Sequence, residues 1–168
     1  AEICATFGKE GVKVALDFQP VKEADIDKQF KFVRDVEGFV ALANSCSDAG
    51  IVFDSWKWFL GGGTKEQLEQ IGIQRALIVR LGDAPEGCTP ETANEDDCLL
   101  PASTNVINNI EYLKLFVAAE CDVPVSARGK AAQPGGTRDA FIAKTQDGLD
   151  QCFQEADIPC TTRKPEMY

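Results

Sequence analysis

Short apolar runs alternate along the chain with longer stretches whose apolar positions recur at helical spacing. The runs are typical of buried strands because they are apolar throughout, and they cover residues 12–18, 50–54, 76–82 and 123–128. Helices are predicted over 1–10, 25–48, 64–71, 107–119 and 140–153. The order, one helix followed by four strand–helix pairs, predicts an α/β fold with a parallel sheet covered by helices.

The carboxyl ends of the predicted strands are where a parallel sheet carries its functional groups. The charged residues at these ends are Asp17, Asp54, Asp83 and Arg128. One charge at each strand end is the pattern of a site at a barrel mouth. Charges are also solvated wherever strands end, so the pattern leaves both interpretations open.

Two loops are predicted from local sequence. Gly61-Gly62-Gly63 breaks the chain and lacks the Lys-Ser/Thr of a phosphate-binding loop, so it is interpreted as a turn. Thr64 follows as a helix N-cap, with Gln67 at the capping-box position. Residues 83–98 form a polar loop with six acids and no Lys or Arg, which we expect at the surface or facing a basic partner.

Composition excludes several classes of function. The formal net charge of −10 and the lack of a basic patch argue against nucleic acid as a partner. Histidine is absent, which excludes His-based triads and His metal ligands within these 168 residues. No apolar run reaches the ~20 residues of a membrane-spanning helix.

The seven cysteines contain no CxxC pair, so a zinc ribbon or a thioredoxin-like site is not expected. Cys88/Cys98 and Cys152/Cys160 are close enough to form disulfides in an oxidising compartment, and free, partly buried thiols are the other interpretation. The sequence starts at Ala1 without a signal peptide, so either a leader was removed or the chain is part of something longer. The compartment is not determined, with the cytoplasm or an organelle interior expected.

Five segments resemble a known family in the same order and spacing. Residues 50–63, Gly-Ile-Val-Phe-Asp-Ser-Trp-Lys-Trp-Phe-Leu-Gly-Gly-Gly, resemble a signature of the xylose isomerase-like TIM barrels, the sugar phosphate isomerase/epimerase family. The others are 14–20, 78–85, 99–107 and 124–128. The resemblance implies that the four strands are the fifth to eighth of an eight-stranded barrel, making residues 1–155 a partial (half) TIM barrel and 156–168 a tail.

A half-barrel implies uncovered surfaces. Four strands cannot close, so two sheet edges and the inner sheet face would meet water. Alternate residues of Val12–Phe18 and Ile51–Phe53 are expected to form an apolar patch on that face. The expected partners are therefore other protein chains, or a missing half of the same chain, that cover the open half-barrel.

The resemblance also implies a metal site, which this sequence does not preserve. Family enzymes hold one divalent metal through a Glu, an Asp, a His and a Glu, one at each of these strand ends. The matching positions here are, in chain order, Asp17, Asp54, Arg80 and Arg128. Because arginine has no lone pair to donate, no metal and no cofactor are expected. Instead, Arg80 or Arg128 is expected to form a salt bridge with at least one aspartate.

Three further residues are candidates for substrate binding. Lys57 falls where the family has a substrate-contacting His, and is either a Schiff-base nucleophile or a salt-bridged lysine. Trp56 and Trp58, with Phe59, could stack a sugar or a pigment ring, or belong to the core.

The leading functional hypothesis is therefore a non-catalytic, degenerate relative of the sugar isomerases that serves as a structural or binding subunit of a larger assembly. The alternative is a fragment of a metal-dependent sugar (phosphate) isomerase or epimerase, for which the motif match and Asp54 speak. A third reading is a metal-free sugar- or phosphate-binding protein that uses Arg80, Arg128 and Lys57.

Overall fold

A computed structural model describes residues 2–20, 33–130 and 136–159. In these ranges, four parallel strands form one sheet in the order β1-β2-β3-β4. The strands are β1 (Ala15–Leu16), β2 (Gly50–Asp54), β3 (Ala76–Leu81) and β4 (Val125–Ala127). The helices are α1 (Glu2–Gly8), α2 (Val36–Ser45), α3 (Ser55–Leu60), α4 (Lys65–Ile71), α5 (Asn109–Ala118) and α6 (Arg138–Glu155). The prediction of an α/β fold with four parallel strands, consistent with a partial TIM barrel, is confirmed.

Several predicted elements are shorter in the structure, among them β1, β4 and α2. β1 has only two residues in the ladder, opposite Gly50 and Ile51, since an edge strand has a hydrogen-bonding neighbour on one side only. Helix α2 begins at Val36 because the carboxylate of Asp35 caps it, accepting a hydrogen bond from the Gly38 amide at 2.7 Å. Residues 25–32 of the predicted helix lie outside the described residues.

The connection after β2 contains one expected and one unexpected feature. The Thr64 hydroxyl accepts from the Gln67 amide and the Gln67 side chain accepts from the Thr64 amide, which confirms the predicted capping box of α4. Helix α3, which starts directly after β2, was not predicted. It forms because Asp54 ends the strand and also caps the helix, accepting from the Lys57 amide at 3.1 Å.

Side chains of the sheet alternate between two faces. Ile51, Phe53, Val79 and Leu81 are fully buried against the helices. By the period of two, their neighbours along the strands point to the opposite, inner face. Within Ile51–Phe53, the alternate residue on the inner face is therefore Val52, whereas Ile51 and Phe53 point into the helix layer.

The inner face carries apolar side chains from the two central strands. Val52 and Ile78 are paired there across β2 and β3, and both are half-buried. Large exposed apolar side chains occur, among other places, in the segments that flank the edge strands in sequence. Ile3, Phe7 and Val12 precede β1, and Phe141 and Ile142 follow β4; all are at least 41% exposed.

Cysteines in the described ranges are free thiols, including Cys88 and Cys98, so the disulfide considered between them is not formed. Cys152 is a buried free thiol, and Cys160 lies outside the described residues. Ala156 and Ile158 pack against the main core, and the proposed domain boundary at residue 155 stays a prediction. Among the helices that the structure describes, none is long and apolar enough to cross a membrane.

Candidate functional site at the carboxyl ends of the strands

The sheet brings the predicted site residues together at one edge. Asp54 ends β2 and lies opposite Arg80 of β3, and Arg80 in turn lies opposite Ser126 of β4. Asp17 directly follows β1, and Arg128 directly follows β4. Because parallel strands share one carboxyl edge, residues distant in sequence become neighbours there.

Asp54 and Arg128 form the most buried ion pair of the site. Nη1 of Arg128 lies 2.6 Å from Oδ2 of Asp54, whose side chain is only 1% exposed. The second oxygen, Oδ1, accepts the α3 capping hydrogen bond from the Lys57 amide. Both carboxylate oxygens therefore have donors, as a buried charge requires.

Asp17 forms the second ion pair. Its Oδ2 lies 2.7 Å from Nζ of Lys57 and 3.9 Å from Nη1 of Arg80, and its Oδ1 accepts from the Phe18 amide. The expected pairing of aspartate with arginine is thus confirmed, most closely by Arg128 and Asp54. An ammonium held at 2.7 Å by a carboxylate has no free lone pair for attack, so the geometry favours Lys57 as a salt-bridged lysine rather than a Schiff-base nucleophile.

The two candidate tryptophans lie in the core. Trp58 is 1% exposed, packs with Phe18, Phe39 and Phe53, and donates from Nε1 to the Thr64 carbonyl. Trp56 is fully buried and packs on Phe59 in a second apolar cluster. Since neither indole offers an exposed face, we do not retain them as stacking residues for a ligand.

Asp83, the charge at the end of β3, has a different environment from the one predicted. It is fully buried, and its carboxylate accepts four backbone N–H bonds of 2.7–3.0 Å. The donors are the amides of Ala84, Thr104, Asn105 and Ile107. The expectation that the whole acidic loop 83–98 stays at the surface is wrong for this residue. The chain returns to Asp83 at residues 104–107, and the Asp83 carboxylate accepts the hydrogen bonds of the backbone amides there.

Cys98 is a buried thiol close enough to Asp54 and Arg128 to interact with their charges. Burial raises the pKa of its thiol to about 12, and the positive charge of Arg128 only partly opposes that effect. The thiol is therefore protonated at neutral pH, and the reactive thiolate form is not populated there.

The metal that the resemblance implies does not fit these residues. Two carboxylates are present, each already engaged by a cation, and the two remaining positions are guanidinium groups without lone pairs. Within the described ranges, no cluster of three or more Asp, Glu or Cys is arranged to hold a metal ion. At the carboxyl ends of the strands, salt bridges therefore occupy the positions where the resemblance implies metal ligands.

Comparison with known proteins supports the fold. The structure matches a xylose isomerase domain protein from Alicyclobacillus acidocaldarius subsp. acidocaldarius with a TM-score of 0.72 at 20% sequence identity. The chain has the xylose isomerase-like TIM-barrel fold. It also matches a xylose isomerase domain containing protein from Salmonella typhimurium LT2, with a TM-score of 0.67 at 12% identity. No protein-family model matches the sequence, and no curated protein does so significantly.

Coverage in these matches is unequal. The alignments include 92% and 91% of this chain, whereas they include 55% of each solved structure. The xylose isomerase-like chain therefore spans about half the length of the proteins that it resembles. At these identities the likeness is one of fold, and the activity has to be argued from the residues at the mouth.

Proposed function

We propose that this chain is a non-catalytic, xylose isomerase-like unit that serves as a structural or binding subunit of a larger protein assembly. The observation that carries the proposal is the Asp54–Arg128 pair at 2.6 Å, which occupies two of the four positions where the family holds its metal. The ion pair supplies the charge compensation that a cation would give to the buried carboxylate.

Loss of catalysis follows from the chemistry of the remaining groups. Moving a proton between adjacent sugar carbons needs a carboxylate or imidazole with an available lone pair, positioned near the substrate. Asp17 and Asp54 are both held by cations, and Arg80 and Arg128 stay protonated. The same donor set argues against the alternative function, a metal-dependent sugar isomerase or epimerase.

The role within an assembly is supported by the edges of the sheet. β1 and β4 are edge strands of a parallel sheet, an arrangement that is normally closed or covered. Exposed apolar side chains adjoin both edges in sequence: Ile3 and Phe7 in α1, and Phe141 and Ile142 in α6. α1 has no buried residue at all, so in this chain alone it contributes nothing to the core.

Metal binding and turnover test the loss of catalysis. We expect the purified chain to take up no stoichiometric Mn²⁺, Mg²⁺, Co²⁺ or Zn²⁺ in calorimetry and to convert no sugar or sugar phosphate. Stoichiometric binding of one such ion together with turnover would overturn the proposal.

The assembly role is tested separately with paired variants. The 168-residue chain is expected to self-associate or to bind a hydrophobic dye, measured by light scattering and dye fluorescence. Ile3→Ser with Phe7→Ser should reduce both signals, whereas Val117→Ser should not, because Val117 is comparably exposed (54%) but lies on α5, the helix that follows the central strand β3. A dye-silent monomer that unfolds cooperatively would contradict the proposal.

A further inference from the structure

Among the ion-paired groups at the mouth, positive side chains outnumber negative ones. Lys57, Arg80 and Arg128 contribute three positive charges, and Asp17 and Asp54 contribute two negative charges. Each carboxylate has one close cation, at 2.7 Å for Asp17 and at 2.6 Å for Asp54. Arg80 is the cation left over by this pairing.

Arg80 lies at the inner face and, within residues 2–20, 33–130 and 136–159, has no close counter-charge. Among the described residues its ion pair is with Asp17 at 3.9 Å, to the same Oδ2 that Lys57 holds at 2.7 Å. That distance is too long for a hydrogen bond. The Arg80 side chain is 39% exposed, so the fork of N–H donors reaches solvent from a backbone that is paired on both sides in the sheet.

We propose that Arg80 is the centre of a binding site for a small oxyanion, a carboxylate or a phosphate group. A guanidinium presents two parallel N–H donors that match a pair of oxygens on either group. Ser126 lies opposite Arg80 in the ladder and is exposed, and its hydroxyl donates a long 3.5 Å hydrogen bond to the Val79 carbonyl. It supplies a second donor on the same face.

The acidic side chains near Arg80 do not prevent an anion from binding there. The carboxylate of Asp83 is satisfied by four backbone N–H groups and is fully buried, and those of Asp17 and Asp54 are neutralised by their own cations. Glu86 and Asp96 of the loop are exposed, where salt screens their charge. The chain as a whole is acidic, so selectivity for an oxyanion here rests on local geometry and not on net charge.

The site does not depend on the proposed assembly role, since it uses side chains of this chain only. The oxyanion site is tested by titrating the 168-residue chain with inorganic phosphate, with acetate and with chloride at matched ionic strength. Calorimetry detects binding of each anion, and the ³¹P NMR line width detects binding of phosphate. We expect saturable binding of phosphate or acetate, or both, and none of chloride; the relative affinities identify which oxyanion the site prefers.

Variants locate the binding. Arg80→Gln should weaken oxyanion binding about tenfold or more, because charged hydrogen bonds are lost, and Arg80→Lys should retain part of it. Lys13→Gln is the matched control. It removes one positive charge from an exposed residue just before β1, at the amino ends of the strands and so at the end of the sheet opposite to Arg80. The inference is overturned if wild type binds neither oxyanion, if Arg80→Gln binds as well as wild type, or if Lys13→Gln weakens binding equally.

Discussion

Asp54 and Asp83 are two buried aspartates at the ends of adjacent strands, and they are stabilised in opposite ways. Asp54 is compensated by a charged side chain from another strand, Arg128. Asp83 is compensated by four backbone amides of its own connecting loop, with no cation in hydrogen-bond contact among the described residues. One carboxylate therefore joins β2 to β4, whereas the other organises a loop.

Asp54 belongs to the candidate site at the mouth, whereas Asp83 stabilises the conformation of a loop. The loop that Asp83 holds includes Ala102 and Asn105 in the left-handed backbone region, at φ 59° for both, which costs on the order of 1 kcal/mol for each. Four N–H bonds to one carboxylate stabilise that conformation. At the mouth, by contrast, the backbone is ordinary strand and the special feature is the pairing of side chains.

The largest expected effect is the loss of the Asp83 acceptor. Asp83→Ala leaves buried amides without a partner, and we expect it to lower the free energy of unfolding by roughly 3–5 kcal/mol. Urea denaturation measures this. Asp96→Ala, at an exposed acid of the same loop, should change stability by less than about 0.5 kcal/mol. Equal effects of the two variants would contradict the role given to Asp83.

A smaller loss is expected when the mouth pair is broken. Arg128→Ala leaves the Asp54 carboxylate buried without its cation, and should cost about 3 kcal/mol by urea denaturation. The double variant Arg128→Ala with Asp54→Asn should recover much of that loss, because no charge is then stranded and the amide oxygen can still cap α3. If the two effects simply add, the ion pair contributes no coupling and the comparison with Asp83 fails.

The exposed end of the network should matter less. Asp17→Asn removes the counter-charge of Lys57, whose side chain is only 9% exposed. Because the Asp17 side of the pair is 32% exposed and water can reach it, we expect a loss of about 2 kcal/mol, below that of Arg128→Ala. Thermal unfolding of the Asp17→Asn and Arg128→Ala variants, measured side by side, shows which of the two ion pairs contributes more to stability. A larger loss at Asp17 than at Arg128 would reverse the assignment of the main ion pair.

The effect that is smallest at neutral pH is a change in the pH dependence of stability. Burial raises the pKa of Cys98 from 9.0 to about 12, so the unfolded state loses this proton first as the pH rises. The thiol's contribution is fully present below pH 9 and is lost progressively between pH 9 and 12. Cys98→Ala should flatten the fall in stability between pH 8.5 and 10.5, measured by urea denaturation at each pH; Cys88→Ala, at a less buried thiol, should not.

Much of the fold follows from sequence patterns alone. The apolar runs predicted β2 and β3 closely, and the Thr64–Gln67 pair predicted the start of α4, because both signals act over a few neighbouring residues. The arginines at two metal-ligand positions likewise predicted ion pairing at the mouth, since unlike charges at one sheet edge attract each other.

Tertiary structure decided which groups meet. Sequence could not tell that Lys57 pairs with Asp17, 40 positions away, or that Arg128 pairs with Asp54 across 74 positions, because partner choice depends on strand order and register. Nor could it tell that Asp83 turns inward, since its partners are amides of a loop that returns about 20 residues later. Local patterns determine elements, whereas the environment of a charge is set by whatever the folded chain brings within hydrogen-bond distance.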